Sequence, residues 1–196
     1  MKTSKPIAVL MACSLSGSLY AADLTRAQVE ALLKQATQQK PANLRRKDLK
    51  GVDLSKLDLR HADLWGADLR GANLSHSNLS GLVLDLTVMV GINLSYANLS
   101  KVSIFGVSMM RSDLSYANFT DSRVIANLDG SNMSHANLSA ARWGADMKNQ
   151  PMGLMRVSLN KVNLSYANLS GADLTNLNYA DLAGTNLDSA IRLHSG

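Results

Sequence analysis

Between about residues 42 and 192 a large apolar residue recurs every five positions. Leu44, Leu49, Leu54, Leu59, Leu64, Leu69, Leu74, Leu79 and Leu84 open the series, and Met89, Leu94, Leu99, Ile104, Met109, Leu114, Phe119 and Val124 continue it. Five is the period of neither regular element. On an α-helix, at about 100° per residue, it carries the apolar position forward by roughly 500°, so the stripe wanders around the axis. On a flat strand an odd spacing sends successive residues to opposite faces. The chain must therefore turn a corner in every unit. Two positions before each large residue stands a usually small one, such as Ala62, Ala67, Ala72, Ser77, Ala97 or Ala117, with mostly Asp or Asn between them. With both the small and the large residue pointing inward, each unit is one side of a closed coil and its other three positions face out.

A second period of 20 residues relates Leu74-Ser75-His76-Ser77-Asn78, Leu94-Ser95-Tyr96-Ala97-Asn98 and Leu114-Ser115-Tyr116-Ala117-Asn118. Four units per coil follow, with the backbones of stacked coils paired at a β-like spacing of about 4.8 Å. Units of the form A-(D/N)-L-x-x, repeated over about 150 of the 196 residues, resemble the pentapeptide-repeat family. The resemblance implies an all-β solenoid, a right-handed quadrilateral β-helix of about 7 coils, here with a short N-terminal capping α-helix. It implies little about activity, because the repeated residues build the scaffold. Members of that family are best known for mimicking duplex DNA and protecting gyrase, which calls for a strongly acidic rod in the cytoplasm. This chain carries a formal net charge of +5, so gyrase or nucleic-acid action is the alternative reading, and nucleic acid is not an expected partner.

The segments before the repeat have their own grammar. Lys2 and Lys5 precede the apolar run Ile7-Ala8-Val9-Leu10-Met11-Ala12, and small residues end at Ala21-Ala22. That is the order of a secretory signal over 1–22, too short in its apolar core for the ~20 residues that span a bilayer. A periplasmic or secreted protein is expected, with a net charge of +3 once Lys2 and Lys5 are lost. Leu10-Met11-Ala12-Cys13 also resembles a lipoprotein box, so lipidation of Cys13 is the alternative, and a membrane is a partner only in that case. If Cys13 leaves with the signal, the processed chain has no cysteine for disulfide, metal or nucleophile. Over 23–41 a capping helix is expected: Thr25 is a good N-cap with Gln28 as capping-box partner, Leu24 can staple against Val29, and Val29, Leu32, Leu33 and Ala36 form one stripe over 25–40 before Pro41. The repeat domain is then 42–192 and a tail 193–196.

Departures from the repeat mark where a function would lie. The series steps by four after Val124, to Leu128, Met133, Leu138 and Trp143, and by four again to Met147; Leu154 follows across a segment around Pro151 expected to form a small loop. Bulky residues at small-residue positions, Leu57, Leu82, Ile92, Val102, Val107, Val157, Val162 and Leu177, are expected to bulge the wall locally. Val83, Val88 and Val90 put apolar area outside, a candidate partner or homodimer surface. The 20-residue period should stack His76, Tyr96, Tyr116 and, after the slip, His135 in one outward column, with Lys56 below and Arg156 above; this is the candidate partner face. Asn78, Asn98, Asn118 and Asn137 should form an amide ladder between coils. Nine Asn-x-Ser/Thr sequons follow automatically from A-N-L-S repetition. Arg45, Arg46, Lys47, Lys50, Lys56, Arg60 and Arg70 make a basic end, interleaved with Asp48, Asp53, Asp58, Asp63 and Asp68, so a solvated surface is the expectation there. His61, His76, His135 and His194 are dispersed, and no Ser, His and Asp are evidently brought together. No catalytic residue, metal or cofactor is expected, and the loop near Pro151 is the one place an enzyme reading could use. The expectation is a non-enzymatic, exported protein-interaction or structural module with a protein partner.

Overall fold

The computed structural model describes residues 22–144, 156–175 and 186. The signal segment with Cys13, the Pro151 loop, Leu177 and the 193–196 tail lie outside the described residues. Within them the architecture is a parallel β-solenoid with one N-terminal helix. The helix α1 spans Arg26–Leu33, and four short strands follow: β1 (Ala42–Asn43), β2 (Ala62–Asp63), β3 (Ser103–Ser108) and β4 (Arg123–Asn127). β1 pairs with β2 and β3 with β4, both parallel.

Single bridges extend these pairs into four rows, all parallel and all built on the Asp or Asn station of the repeat. The first row includes Asn43, Asp63, Val83, Ser103, Arg123 and Arg142; the second runs through Asp48, Asp68, Val88, Ser108 and Asn127. Asp53, Asn73, Asn93, Asp113 and Asn132 form the third, and Asp58, Asn78, Asn98, Asn118 and Asn137 the fourth. Neighbouring coils exchange backbone hydrogen bonds at every row, as where Leu54 N–H donates to Asn73 C=O (2.7 Å) and Asn73 N–H to Val52 C=O (3.0 Å).

Between rows the chain turns. In most units the residue three beyond the large apolar one donates back to its carbonyl, for example Ala97 N–H to Leu94 C=O at 3.0 Å. The third residue of such a turn has positive φ, as a type II turn requires: Gly51, Gly71 and Gly91 at one corner, Gly66, Leu86 and Gly106 at another. The Asp or Asn before the large residue reinforces the turn by accepting the backbone N–H two residues on, as Asn73 does from Ser75 (3.1 Å) and Asn98 from Ser100 (3.1 Å). This local bond is the principal use of the amide stations. Ladder bonds between coils are partial: Asn118 donates to Asn98 (3.3 Å), but Asn137 turns to the Thr120 hydroxyl (3.1 Å).

The inside is dry and filled. Every large repeat residue from Leu44 to Trp143 is buried, as are Leu159, Leu164 and Leu169. The hydroxyls that replace inward Ala are satisfied by backbone: Ser77 donates to Leu74 C=O, Thr87 to Leu84 C=O, and Ser131 to Met109 C=O. Trp143 meets Phe119 edge-on at 5.3 Å and donates its indole N–H to the Ser122 hydroxyl at 3.0 Å. Leu82, Ile92, Val102, Val107, Val157 and Val162 are all buried too, and the expected bulging is confined to one place. The β3–β4 register shifts between Phe105 and Val107, because β4 lacks the residue that makes the corner at Gly106 one coil below.

The helix closes the start of the stack. Its capping box is formed, with Thr25 N–H donating to Gln28 (2.8 Å) and Gln28 N–H to the Thr25 hydroxyl. Val29 is fully buried in the core, and Asp23 pairs with Asp48 through Asp23 N–H to Asp48 C=O (2.7 Å), covering the open edge of the second row. The helix is shorter than the 25–40 stripe implies. After Leu33 the bonds tighten, and Thr37 and Lys40 close a turn (Thr37 N–H to Lys40 C=O, 3.0 Å) that swings the chain into β1. Leu32 is consequently exposed and Leu33 only partly covered.

Beyond Trp143 the second row passes from Asn127 to Ser158 and the first from Arg142 to Asp173. The register thus lengthens from 20 residues (Asn73 to Asp53) to 31 (Asn163 to Asn132). Met147 and Leu154 of the expected series lie outside the described residues, and Leu159 follows Ser158, which is in register with Asn127. Asn186 then returns over Asn163.

Because each coil is held mainly by its neighbours, a cavity in mid-stack should be felt strongly. Leu94→Ala is expected to cost about 2–5 kcal/mol in denaturant unfolding, whereas the outward change Val83→Thr should stay within about 0.5 kcal/mol.

Candidate functional site

The outward column stands as the 20-residue period implies, and it is longer. His76 and Tyr96 stack at 4.8 Å, Tyr96 and Tyr116 at 4.6 Å, and Tyr116 and His135 at 4.5 Å, with planes within 5°. Above His135 lies Tyr166 at 4.8 Å, in the place assigned from sequence to Arg156. The 31-residue register carries Tyr166 there, a step that the 20-residue period does not give. Lys56 occupies the same corner one coil below His76.

All six of these residues have φ between 57° and 60°. The neighbouring corners use Gly at many such positions, and this one uses none among the described residues. A left-handed conformation costs a side-chain-bearing residue roughly 1–2 kcal/mol, while a stacked ring pair returns about 0.5–1.5 kcal/mol. With five rings and four stacked pairs, stacking returns roughly 2–6 kcal/mol against a backbone cost of roughly 5–10 kcal/mol, so it offsets only part of the strain. Tyr96, Tyr116 and Tyr166 are 45–58% exposed. Their faces are covered by one another, so the column presents edges and phenol hydroxyls at a regular spacing. Flat docking of a sugar on a ring face is thereby excluded for the inner rings.

The apolar patch lies at a different corner. Val83 is 55% exposed and Val88 37%, as expected, but Val90 is partly buried and less exposed than either. Its place is taken by Leu86, 53% exposed with φ 60° at the turn between Val83 and Val88. Leu86 escapes a sequence reading because it sits off the five-residue series yet has the residue type of the core. One coil below, Trp65 is covered by the Arg45 and Arg46 guanidiniums at 4.6 and 5.0 Å. Beside Leu86, burial raises the Asp85 carboxyl above its ordinary range against the opposing effect of the Phe105 N–H, which donates to it at 3.0 Å.

The basic end is neutralised from within. Arg60 and Arg70 each fork onto the carboxylate two residues earlier, Asp58 and Asp68, with closest contacts of 2.6 Å. Arg45 pairs with Asp63 (3.0 Å) and Lys50 with Asp48 (2.7 Å). Hydrogen bonds from Arg60 and Arg70 hold the Asp58 and Asp68 carboxyls below the ordinary range. Among the described residues no cluster of three or more His, Cys, Asp or Glu is placed to hold a metal ion, and no helix is long and apolar enough to cross a membrane.

Two variants check these assignments. Raised in the folded state, the Asp85 pKa makes the group stabilising only below the ordinary carboxylate range, with that contribution lost as pH rises through the folded value. Asp85→Asn should therefore melt above the native protein at pH 7, and the gap should close near pH 3 in thermal scans. At the ring column, Tyr116→Gly exchanges two stacked contacts for a relaxed backbone and should change stability by less than about 1 kcal/mol, while Tyr116→Val keeps the strain, loses the stacking and should cost more; chemical denaturation of the two variants distinguishes these outcomes.

The family model for pentapeptide repeats matches this chain in eight copies, at residues 48–84, 67–109 and 154–176. No curated protein sequence matches. Solved structures similar to it include QnrB1, a plasmid-mediated fluoroquinolone resistance protein, at 17% identity, 73% of this chain, 68% of that one and a TM-score of 0.47. A pentapeptide-repeat protein from the cyanobacterium Cyanothece 51142 matches at 20% identity over 84% of this chain and 97% of its own, with a TM-score of 0.34. HetL, involved in heterocyst differentiation regulation in Nostoc sp. strain PCC 7120, matches at 21% identity over 85% and 94%, with a TM-score of 0.28. The repeat stations, their inward Leu and small residues and the matched copies together place the chain in the pentapeptide-repeat family.

Proposed function

We propose that this protein is a non-enzymatic, exported interaction module: a right-handed, four-sided β-helix of about seven coils that presents the column of His76, Tyr96, Tyr116, His135 and Tyr166 to a protein partner. Four parallel rows joined by a turn in every unit support the four-sided cross-section. The order of charged, apolar and small residues over 1–22 supports export, with lipidation of Cys13 as the alternative route to a membrane surface.

The observation that carries the reading is the ring column in left-handed backbone. Five large rings stand where glycine would be less strained, and their stacking offsets only part of the strain, so stability alone does not account for the choice. Exposed tyrosine edges suit protein recognition, since each offers apolar area and a hydroxyl at low entropic cost. The Val83–Leu86–Val88 corner is the second contact candidate and the one suited to a homodimer. A basic formal charge speaks against a DNA-mimic role, and among the described residues the filled core offers no enclosed pocket for chemistry.

Fractionation of the native host with mass measurement of the N-terminus should find a chain beginning at Asp23 or Ala22 outside the cytoplasm; an intact 1–22 segment in cytosol would overturn export. In a pull-down from the matching compartment, the Tyr96→Ala/Tyr116→Ala protein should lose partners that the native chain retains. An unchanged partner set would reject the ring column as the contact face.

A further inference from the structure

Tyr96 and Tyr116 stand directly over one another. Their ring centroids are 4.6 Å apart and their planes 2° from parallel. Tyr96 N–H donates to Ser115 C=O at 2.9 Å, so the backbone holds the two corners in register. Both side chains leave from the same left-handed conformation, at φ 59° and 57°. Where parallel strands stack in register, identical side chains place like atoms over like atoms. Each carbon ortho to the Tyr96 hydroxyl therefore lies over its counterpart in the next coil.

The outer faces of the pair are taken by imidazoles. His76 covers Tyr96 at 4.8 Å and His135 covers Tyr116 at 4.5 Å. Tyr166 lies one ring farther on, beyond His135. Among the described residues, Tyr96 and Tyr116 are thus the one pair of phenols in contact. Both are open to solvent, at 52% and 45% exposure, whereas the oxidisable side chains of Met89, Met109, Met133 and Trp143 are buried. An oxidant at the surface reaches these phenols without opening the fold.

We propose that Tyr96 and Tyr116 are an oxidative cross-linking site, joined as dityrosine by a one-electron oxidant such as a haem peroxidase supplied with hydrogen peroxide. Each phenol gives up one electron and its hydroxyl proton, which leaves tyrosyl radicals in adjacent coils. A bond forms between the facing ortho carbons, and the hydrogen on each of those carbons passes to its phenol oxygen, restoring both aromatic rings. In sum, two phenols and one peroxide give one biaryl and two waters. Because the rings already touch, coupling needs no diffusion. The rings have only to tilt together at their exposed outer edges, a side-chain motion about Cα–Cβ and Cβ–Cγ. The new bond ties two coils that otherwise share hydrogen bonds and packing, and such a closure restricts the unfolded chain.

Treatment of the full chain with a haem peroxidase and limiting hydrogen peroxide, followed by dityrosine fluorescence and peptide mass mapping, tests the assignment. The expected product is a monomer lighter by two hydrogen atoms. Trypsin cuts after Lys101 and Arg111, between the two tyrosines, so the digest should contain the Tyr96 and Tyr116 peptides joined. The yield should not fall on dilution, and the product should melt above the untreated protein. Tyr116→Phe keeps the stacked ring without its phenol and should lower the monomer's dityrosine yield by about tenfold or more. Dityrosine formed only between molecules, a link joining other tyrosines, an equal yield in Tyr116→Phe, or no dityrosine at all would each overturn the proposal.

Discussion

The backbone hydrogen bonds between successive coils are what the rest of this molecule depends on. They form only if each coil returns to the same height in the same register, and that requires a sharp, identical turn every five residues. A left-handed residue at the third position of the turn supplies the sharpness, and the Asp or Asn two residues before the outward pair supplies a hydrogen bond that fixes it. The buried leucines then have one place to go. Hydrophobic burial contributes most of the favourable free energy, but it is the turn that decides which residues are buried.

That division explains why the wall tolerates a varied exterior. Outward stations carry no packing duty, so they hold Asp–Arg forks at one end, valine and leucine at one corner, stacked rings at another and paired arginines midway. A rigid frame with a regular spacing converts sequence repetition into vertical columns, and a column is a surface. The same regularity makes departures conspicuous. The Gly106 bulge and the exposed Leu86 both lie between the first and second rows, so the irregular corner and the ring column occupy different parts of the perimeter.

Much of the arrangement is legible from residues alone. Inward and outward stations, the capping box at Thr25, the 20-residue coil and the stack of His76, Tyr96, Tyr116 and His135 follow from periodicity, because a periodic chain leaves each residue one station to occupy. Tyr166 was not legible, since its place in the column depends on a register of 31 residues where the repeat implies 20. Nor was the end of α1 at Leu33, where a turn between Thr37 and Lys40 overrides an apolar stripe that continues to Ala36.

The sequence by itself determined the fold of this chain: a five-residue period with inward Leu and Ala fits neither helix nor flat strand, and only stacked coils bury it. The tertiary structure decided which outward residues meet. Whether a ring meets another ring, as Tyr166 meets His135, depends on register between coils, whereas Arg70 meets Asp68 within its own unit. Register is set by turns, deletions and insertions summed along the chain, and side chains far apart in sequence acquire a common chemistry only after that sum is fixed in space.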